Sequence, residues 1–381
     1  MKRIACIAPS YLPSRRANTF QVMKMAGALV ELGHAVQMIV PLPGGRHPEN
    51  LGTGLAWPDL GEHYGLRVEF GIEWVPVSVP LRGYDFGLRA ASRTRAFESD
   101  LVFTRHPQAA AAAVLRRLPT ILEVHDVPHG KMGPLLMRLF LRSRGARRLV
   151  VISDALLADL AREFRLPQAP FAVVERDGVD LDRFADLPGP EAARTALGLP
   201  ERFTAGYTGH LYAGRGVETI LDLAGRLPAV QFLLVGGRDA DLARVRSAAA
   251  GLENVSLPGF VPNVDLPTYQ AACDVLLMPY GEKVAASSGG DIAAYLSPMK
   301  LFEYLAAGRP ILSSDLPVLR EVLDEDTAVL LPPGDVDAWA AALADLRADP
   351  AHRARLGAAA KTAAAGYDWR ARAERILAGS G

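Results

Sequence analysis

Hydrophobic residues occur in short continuous runs that alternate with longer segments in which they recur at three- or four-residue spacing. The runs RIACIA (3–8) and HAVQMIV (34–40) predict buried parallel strands. The segment between them predicts a helix that is capped by Asn18 and ends at Gly33. The same strand, loop, helix, strand order returns at 202–237. This alternation predicts an α/β fold with parallel sheets.

The two βαβ units begin about two hundred residues apart, and each has room for a core of its own. This spacing predicts two facing Rossmann-like domains with a cleft between them, because α/β sheets bind ligands beyond the carboxyl ends of their strands. We expect an N-terminal domain at 1–185 and a C-terminal domain at 186–365. A proline-containing segment, DLPGPEAARTALGLPE, marks the boundary.

Composition and cysteine content indicate a globular cytoplasmic protein. Half of the 381 residues are hydrophobic and 22% are charged. The start, MKRIACIAPSYLP, predicts a first strand and not a signal peptide, and no apolar run reaches the roughly 18 residues that a membrane span needs. Cys6 and Cys273 have neither metal-ligand nor disulfide-framework spacing, so we interpret both as buried thiols in a reducing compartment.

Charge is unevenly distributed, although the formal net charge is zero and nothing points to nucleic acid. The first 150 residues contain 20 Lys and Arg against 11 Asp and Glu. Residues 131–148 hold six basic residues and no acidic one around the apolar run LLMRLFL. A helix of this kind can lie on an anionic membrane surface, but a core helix with a basic end is equally consistent with the pattern.

The stretch SPMKLFEYLAAGRPILSSDLPVLRE predicts a helix followed by a buried strand. Ser297 is the expected N-cap, Pro298 the first helical residue and Gly308 the terminator. Lys300 lies in the first turn, where the helix dipole prefers an anion, and Glu303 follows on the same face. A bound anion explains the lysine, whereas a surface Lys–Glu pair is the alternative.

A glycine-bearing loop, GHLYAGRG, joins a strand to the start of a helix in the C-terminal half. Its glycines allow close backbone approach to a phosphate, and Arg215 can clamp one. The loop is neither GxGxxG nor a P-loop, so an ordinary tight turn remains open. Combined with the helix that carries Lys300, it predicts a cradle for a diphosphate.

Arg105 and His125 follow two predicted strands of the N-terminal domain and therefore fall at a ligand-binding edge. A single histidine is more often structural, and that interpretation stays open. The sequence contains no nucleophile elbow, no HExxH and no paired-cysteine zinc site. Hydrolases that form acyl intermediates are therefore disfavoured.

Together these segments resemble glycosyltransferase family 4, a group of retaining, nucleotide-sugar-dependent enzymes with the GT-B fold. The resemblance extends over nearly the whole chain, and its most specific part is the stretch that contains Lys300. The segments that carry it are ALVELGHAV, EVHD, VVISDALLADL, DGVDLDRF, YTGHLYAGRGVETIL, LLVGG, SPMKLFEYLAAGRPILSSDLPVLREVL and YDWRARAERIL. The last matches the family's final helix, which implies that 366–381 cross back to complete the N-terminal domain.

The resemblance implies roles for individual residues. Glu303 matches the second glutamate of the family's Glu-x7-Glu signature and would bind the donor ribose, whereas Tyr295 stands where the first glutamate is usual. The implied catalytic residues are His125, Arg215 and Glu303. The implied donor-diphosphate residues are Gly209, His210, Arg215, Met299 and Lys300. Donor-sugar contacts are expected from Asp291, Tyr295 and Ser297, and acceptor-side contacts from Asn18, Arg105 and His125.

The implied activity is transfer of a sugar, with retention, from a UDP-sugar or GDP-sugar to an acceptor such as an envelope glycolipid or saccharide. Retention without a clear protein nucleophile implies same-face attack by the acceptor. No cofactor and no metal are expected. The alternatives are a sugar-nucleotide epimerase or phosphorylase on the same fold, or a non-catalytic nucleotide-sugar-binding protein, which Tyr295 keeps open.

Overall fold

A computed structural model of the chain describes residues 1–42, 57–78, 85–167, 171–285 and 291–379. They form two compact units. The N-terminal unit consists of Met1–Asp177 and Trp369–Gly381, and the C-terminal unit of Gly178–Asp368. The first boundary thus lies ahead of residue 185. Each unit is a parallel α/β sheet with helices, as the alternating pattern predicts.

The N-terminal unit contains a seven-stranded parallel sheet in the order β3-β2-β1-β4-β5-β6-β7. The central strands are buried hydrophobic runs, because helices cover both faces of such a sheet. The strands are β1 (Arg3–Ile7), β2 (Ala35–Pro41), β3 (Gly71–Val75), β4 (Leu101–Thr104), β5 (Thr120–Val124), β6 (Ala146–Val151) and β7 (Ala172–Val174). The ends of β4 and β5 carry Arg105 and His125, as predicted.

The helices of the described N-terminal unit include the last one of the chain. They are α1 (Ala17–Glu31), α2 (Asp59–Tyr64), α3 (Phe86–Arg93), α4 (Pro107–Leu115), α5 (Gly133–Leu141), α6 (Asp154–Glu163) and α14 (Trp369–Leu377). The last, α14, packs against α1, so the chain returns to its first unit as the resemblance implies. None of the helices in the described ranges combines the length and apolar character needed to cross a bilayer.

Two predictions in this unit are wrong in detail. Arg16 is the N-cap of α1, and Asn18 lies exposed inside the first turn, so Asn18 does not cap the helix. The hydroxyl of Thr19 donates to the carbonyl of Arg16 (2.7 Å), which is the residue just before the helix. The segment 131–148 is not one helix, since α5 ends at Leu141 and the last residues of the segment pair with β5 as part of β6.

The C-terminal unit contains a six-stranded parallel sheet in the order β10-β9-β8-β11-β12-β13. Its strands are β8 (Thr204–Thr208), β9 (Gln231–Val235), β10 (Val255–Gly259), β11 (Val275–Met278), β12 (Ile311–Ser314) and β13 (Ala328–Leu331). Its α-helices are α7 (Pro190–Leu197), α8 (Val217–Arg226), α9 (Asp239–Ala248), α10 (Leu266–Ala271), α11 (Met299–Ala307), α12 (Val336–Ala348) and α13 (Pro350–Ala364).

The predicted helix and strand around Lys300 are α11 and β12. Gly308 ends α11 in the left-handed conformation (φ 63°), as predicted. The start differs by one residue, because Pro298 is the N-cap, with an extended backbone (ψ 125°), and Ser297 lies outside the helix. An extended backbone is compatible with the fixed φ of proline, and it makes Met299 the first helical residue.

Candidate active site

The first cluster of predicted residues lies at the carboxyl end of β8 in the C-terminal unit. Gly209 follows this strand with φ 127°, a conformation that side-chain-bearing residues rarely adopt. A Cβ atom at this position would lie 3.1 Å from Nζ of Lys300. The glycine therefore lets the loop approach the lysine at the start of α11, and the two predicted diphosphate elements are adjacent.

Lys300 is held by aromatic rings. Its Nζ lies 3.6 Å from the ring centroid of Tyr207 and 5.4 Å from that of Tyr280. This nitrogen is buried and makes no hydrogen bond to any residue in the described ranges. Burial and the nearby charge of Arg215 lower the pKa of Lys300 well below its usual value, although Glu303 opposes the shift. The alternative of a solvated surface Lys–Glu pair does not describe this buried nitrogen.

Arg215 is the second cation of this cluster. Its guanidinium donates a hydrogen bond to the hydroxyl of Tyr280 (3.1 Å) and lies over the ring of the same tyrosine, 5.2 Å from the centroid. Its Nε is buried without a hydrogen-bond partner among the described residues. Among the described residues, neither Lys300 nor Arg215 forms an ion pair with a carboxylate. We call Lys300, Arg215 and Tyr280, with Tyr207, the paired-cation cluster.

Glu303, one turn after Lys300, is held by a glutamine. Nε2 of Gln270 donates to Oε2 of Glu303 (3.2 Å) and to the hydroxyl of Thr208 (3.2 Å). Gln270 is fully buried, whereas Glu303 is partly exposed. The other oxygen of Glu303, Oε1, accepts no hydrogen bond within the described residues. A carboxylate oriented in this way is suited to accept hydrogen bonds from a sugar diol.

The remaining donor-side residues occupy the loops beside this cluster. His210 stacks on Tyr212 at 4.7 Å between ring centroids, with 7° between the ring planes. Exposed Asp291 accepts hydrogen bonds from the amides of Val284 (2.9 Å) and Ala293 (3.0 Å), which lower its pKa. Tyr295 ends a single 3₁₀ turn just before α11. Ser297 and Met299 flank the N-cap of the same helix, whose first amides have no partner within the helix.

The second cluster lies in the N-terminal unit and centres on Glu123 of β5, which is fully buried. Its Oε1 accepts hydrogen bonds from Nε2 of Gln21 (2.6 Å) and from Nε2 of His125 (2.6 Å). Its Oε2 accepts from the guanidinium of Arg372 on α14 (3.0 Å). We call these four residues, together with Arg105, the Glu123 network.

The two arginines of the Glu123 network are themselves held in place. Arg105 donates to Oε1 of Gln21 (2.9 Å), and its Nε lies 4.0 Å from Glu123. The side chain of Arg372 is 1% exposed and also donates to the backbone carbonyls of Arg176 (2.7 Å) and Glu175 (3.0 Å). Every charge in this network therefore has a partner within the chain.

Two carboxyl groups and one imidazole in and beside the network have shifted pKa values. Burial alone would raise the pKa of Glu123, but Arg372 and His125 outweigh it and hold this pKa well below its usual range. Burial, followed by the charge of Arg105, lowers the pKa of His125 to about 4. Burial raises the pKa of Asp177 to about 6 despite Arg372. At neutral pH the bond between Glu123 and His125 therefore joins a carboxylate to a neutral imidazole.

Ligand atoms of Glu123, His125 and Asp177 lie within 4.8 Å of one another, which raises the question of a metal ion. Both oxygens of Glu123 already accept hydrogen bonds, and Arg105 and Arg372 contribute positive charge to the same site. A divalent cation would have to displace these partners against that charge. The donor set therefore fits an internal ion-pair network better than a metal centre.

Sequence analysis missed the residues that hold the predicted site residues in place. On the acceptor side it named Asn18, which is exposed, whereas Gln21 on the same helix reaches Glu123. A carboxylate within the buried run TILEV and an arginine on the buried side of the last helix were available signals for Glu123 and Arg372. The missed residues are Gln21, Glu123 and Arg372 in the N-terminal unit and Tyr207, Gln270 and Tyr280 in the C-terminal unit.

Comparisons with known families and proteins point to glycosyltransferases. A family profile described as Glycosyltransferase Family 4 matches residues 20–183, and one described as Glycosyl transferases group 1 matches 202–349. A GDP-mannose-dependent alpha-(1-6)-phosphatidylinositol monomannoside mannosyltransferase of Mycolicibacterium smegmatis is 28% identical over 309 residues, which are 71% of this chain and 80% of the relative. A D-inositol 3-phosphate glycosyltransferase of Xylanimonas cellulosilytica is 31% identical over 61% of this chain, and only 58% of that relative is covered.

Among solved structures, the Anabaena protein HepE in complex with UDP superimposes with a TM-score of 0.74. The match covers 99% of both chains at 18% sequence identity. At this identity the similarity establishes the fold and leaves the substrate open. It shows that both α/β units have the architecture of the GT-B structures.

Proposed function

Because the chain belongs to glycosyltransferase family 4, we propose that it transfers a sugar from a nucleoside-diphosphate sugar to an acceptor hydroxyl, with retention and without a metal. The paired-cation cluster carries this proposal. It holds two cations with no carboxylate partner among the described residues, beside a helix N-terminus and a glycine loop. Family membership favours transfer over the epimerase, phosphorylase and binding-protein alternatives.

The proposed chemistry follows from where charge develops. As the bond between the sugar and the diphosphate breaks, negative charge grows on the leaving phosphate. Lys300, Arg215 and the first amides of α11 stabilise that charge. The acceptor oxygen forms the new bond on the face that the diphosphate leaves, and the proton of the acceptor hydroxyl passes to a leaving phosphate oxygen. Glu303, oriented by Gln270, binds the ribose.

The donor is expected to be a uridine or guanosine diphosphate sugar. UDP is bound to the similar Anabaena protein, and GDP-mannose appears in the name of the mycobacterial relative. A thermal-shift series with UDP, GDP and their sugars distinguishes the two. A nucleotide at one hundred times its dissociation constant stabilises the protein by about 2.7 kcal/mol, which gives a measurable rise in Tm.

The decisive test substitutes the two cations. We expect Lys300→Met and Arg215→Met each to weaken nucleoside-diphosphate binding about 30- to 100-fold in calorimetry, since each removes a charge-assisted hydrogen bond worth roughly 2–3 kcal/mol. Lys361→Met, which removes an exposed lysine of the same unit, is the matched control and should leave affinity unchanged. Unchanged affinity in both cation variants would remove the diphosphate assignment.

We propose that the acceptor is presented by a lipid surface. The helix α5 buries Met137 and Phe140 but exposes Leu135 (57%) and Leu139 (36%) one turn apart. Exposed arginines lie within and just beyond the same helix, and the 131–148 segment contains no acid. An apolar strip bordered by positive charge complements an anionic membrane. The names of both relatives contain inositol or phosphatidylinositol, which supports a polyol headgroup as acceptor.

Vesicle flotation tests the membrane proposal separately from the donor site. The protein should float with vesicles that contain anionic phospholipid and not with purely zwitterionic ones. The double substitution Leu135→Ser/Leu139→Ser should abolish flotation, whereas Leu115→Ser, at an exposed leucine elsewhere in the unit, should not. Absence of flotation in the unsubstituted protein would refute the membrane proposal and leave the donor proposal standing.

A further inference from the structure

The last helix of the chain contributes a buried charge to the Glu123 network. Arg372 lies on α14, 249 residues after Glu123, and the two side chains are 1% and 0% exposed. A buried ion pair contributes little net stability compared with apolar residues of similar size. The effect of the pair is instead on His125, which binds the same carboxylate as Arg372.

We propose that Glu123 and Arg372 are positioning residues that hold His125 as the neutral tautomer with its proton on Nε2, so that Nδ1 accepts a hydrogen bond from a substrate hydroxyl. The identity of that hydroxyl, on the sugar or on the acceptor, rests on the proposed transferase function. The state of the imidazole rests on the geometry and the charges of the N-terminal unit alone.

The direction of the hydrogen bond follows from the donors around Glu123. The 2.6 Å contact joins Oε1 of Glu123 to Nε2 of His125, and an ionised carboxylate only accepts. The amide of Gln21 does not compete as an acceptor, because its Oε1 accepts from Arg105 and its Nε2 faces Glu123. Nε2 of His125 must therefore carry the hydrogen.

The second ring nitrogen stays unprotonated near neutral pH. The charged and titratable groups of the cluster are Glu123, Asp177, Arg105 and Arg372, and burial with Arg105 lowers the pKa of His125 to about 4. Nδ1 makes no hydrogen bond to the part of the chain that the structure describes, and 23% of the side chain is exposed. It is thus an accessible acceptor.

Arg372 sets this state because it keeps Glu123 ionised. Arg372 is the largest of the effects that lower the pKa of Glu123, so its removal shifts the balance toward the protonated carboxyl group that burial favours. A protonated Glu123 can donate its own hydrogen to Nε2, and His125 would then carry its proton on Nδ1. Nδ1 of His125, which faces the substrate, would then donate a hydrogen bond and no longer accept one. A histidine held as an acceptor selects a hydroxyl at this point and disfavours a phosphate oxygen.

The state of the ring can be measured directly with ¹⁵N-labelled histidine, because protonated and unprotonated imidazole nitrogens resonate in separate regions. Comparison with His125→Asn identifies the signals. We expect the neutral Nε2–H form from pH 6 to 8 in the full-length protein. Glu123→Gln, a nearly isosteric change, and Arg372→Met should each populate the Nδ1–H form and lower kcat/KM about 10- to 100-fold.

Arg375→Met is the matched control, because Arg375 lies on the same helix but pairs with Glu175. It should leave the ring and kcat/KM unchanged. Nucleoside-diphosphate affinity should change less than twofold in all variants, so failure of the donor proposal would appear as absent nucleotide binding without altering the histidine spectrum.

An Nδ1–H or charged His125 at pH 7 would overturn the proposal. Retention of both the tautomer and kcat/KM in Glu123→Gln would also overturn it. If Arg372→Met does not fold, Arg372→Lys replaces it and should restore the Nε2–H form at least in part, since a nearby ammonium still favours the ionised carboxylate.

Discussion

The Glu123 network and the paired-cation cluster differ in whether their buried charges have a partner of opposite charge among the described residues. In the first, the carboxylate of Glu123 accepts from Gln21, His125 and Arg372, so the chain compensates its own charges. In the second, Lys300 and Arg215 contact the faces and hydroxyl of tyrosines, and neither forms an ion pair with a carboxylate of the described residues. The first cluster is electrostatically complete, and the second is complementary to an anion.

The difference separates a network that positions a side chain from a cluster that is suited to bind an anion. A compensated network gains nothing from an added ion but controls protonation, because each group sets the pKa of its neighbours. Burial and the charge of Arg215 lower the pKa of Lys300, and an anionic ligand compensates the charge of both cations. Uncompensated buried cations therefore favour the binding of an anion and lower the stability of the ligand-free protein.

Breaking the compensated network should have the largest effect. We expect Arg372→Met to lower the free energy of unfolding by about 3–5 kcal/mol, because it removes the guanidinium that compensates the buried carboxylate of Glu123. Adding Glu123→Leu should recover at least half of that loss. Urea denaturation measures both, and Arg375→Met, at a partly exposed pair, should cost less than about 1 kcal/mol. A double variant as unstable as the summed single variants would contradict this.

The paired-cation cluster should link ligand binding to protons. A diphosphate favours the charged form of Lys300, so its binding raises the lowered pKa of this group and takes up protons. Affinity should fall as pH rises through the pKa of Lys300 in the free protein, by up to tenfold or about 1.4 kcal/mol per pH unit. Calorimetry in buffers of different ionisation enthalpy detects the uptake. Lys300→Arg should abolish this dependence, and proton release on binding would be the opposite result.

The smallest expected effect is a gain in the free energy of unfolding, whereas the change at Arg372 is a loss. Without ligand, Lys300→Met should raise the free energy of unfolding by about 1 kcal/mol, because it replaces a desolvated cation with an apolar side chain of similar length. Lys361→Met, at an exposed lysine, should stay within about 0.5 kcal/mol of the parent. A clear loss of stability in Lys300→Met would show that the tyrosine rings compensate the charge, and would weaken the contrast between the two clusters.

Local sequence was sufficient to group the predicted donor-site residues where they share one segment. Lys300 and Glu303 share a helix turn, and Gly209 and Arg215 share a loop, so their residue types and spacing pointed to an anion site. Helix starts were less certain. Ser297 is a favoured cap, yet the cap of α11 is Pro298, because favourable residues at adjacent positions compete within one turn.

The sequence by itself determined the parallel α/β units, because continuous hydrophobic strands and periodic helices have few other ways to bury their apolar faces. It also predicted an anion site at the glycine loop and at the start of the helix that carries Lys300. Only the tertiary structure decided which polar side chains meet. Gln21 and Glu123 are 102 residues apart, and Arg372 lies 249 beyond Glu123. Periodicity shows which face of an element is buried, whereas the partner of a buried charge depends on how the elements pack.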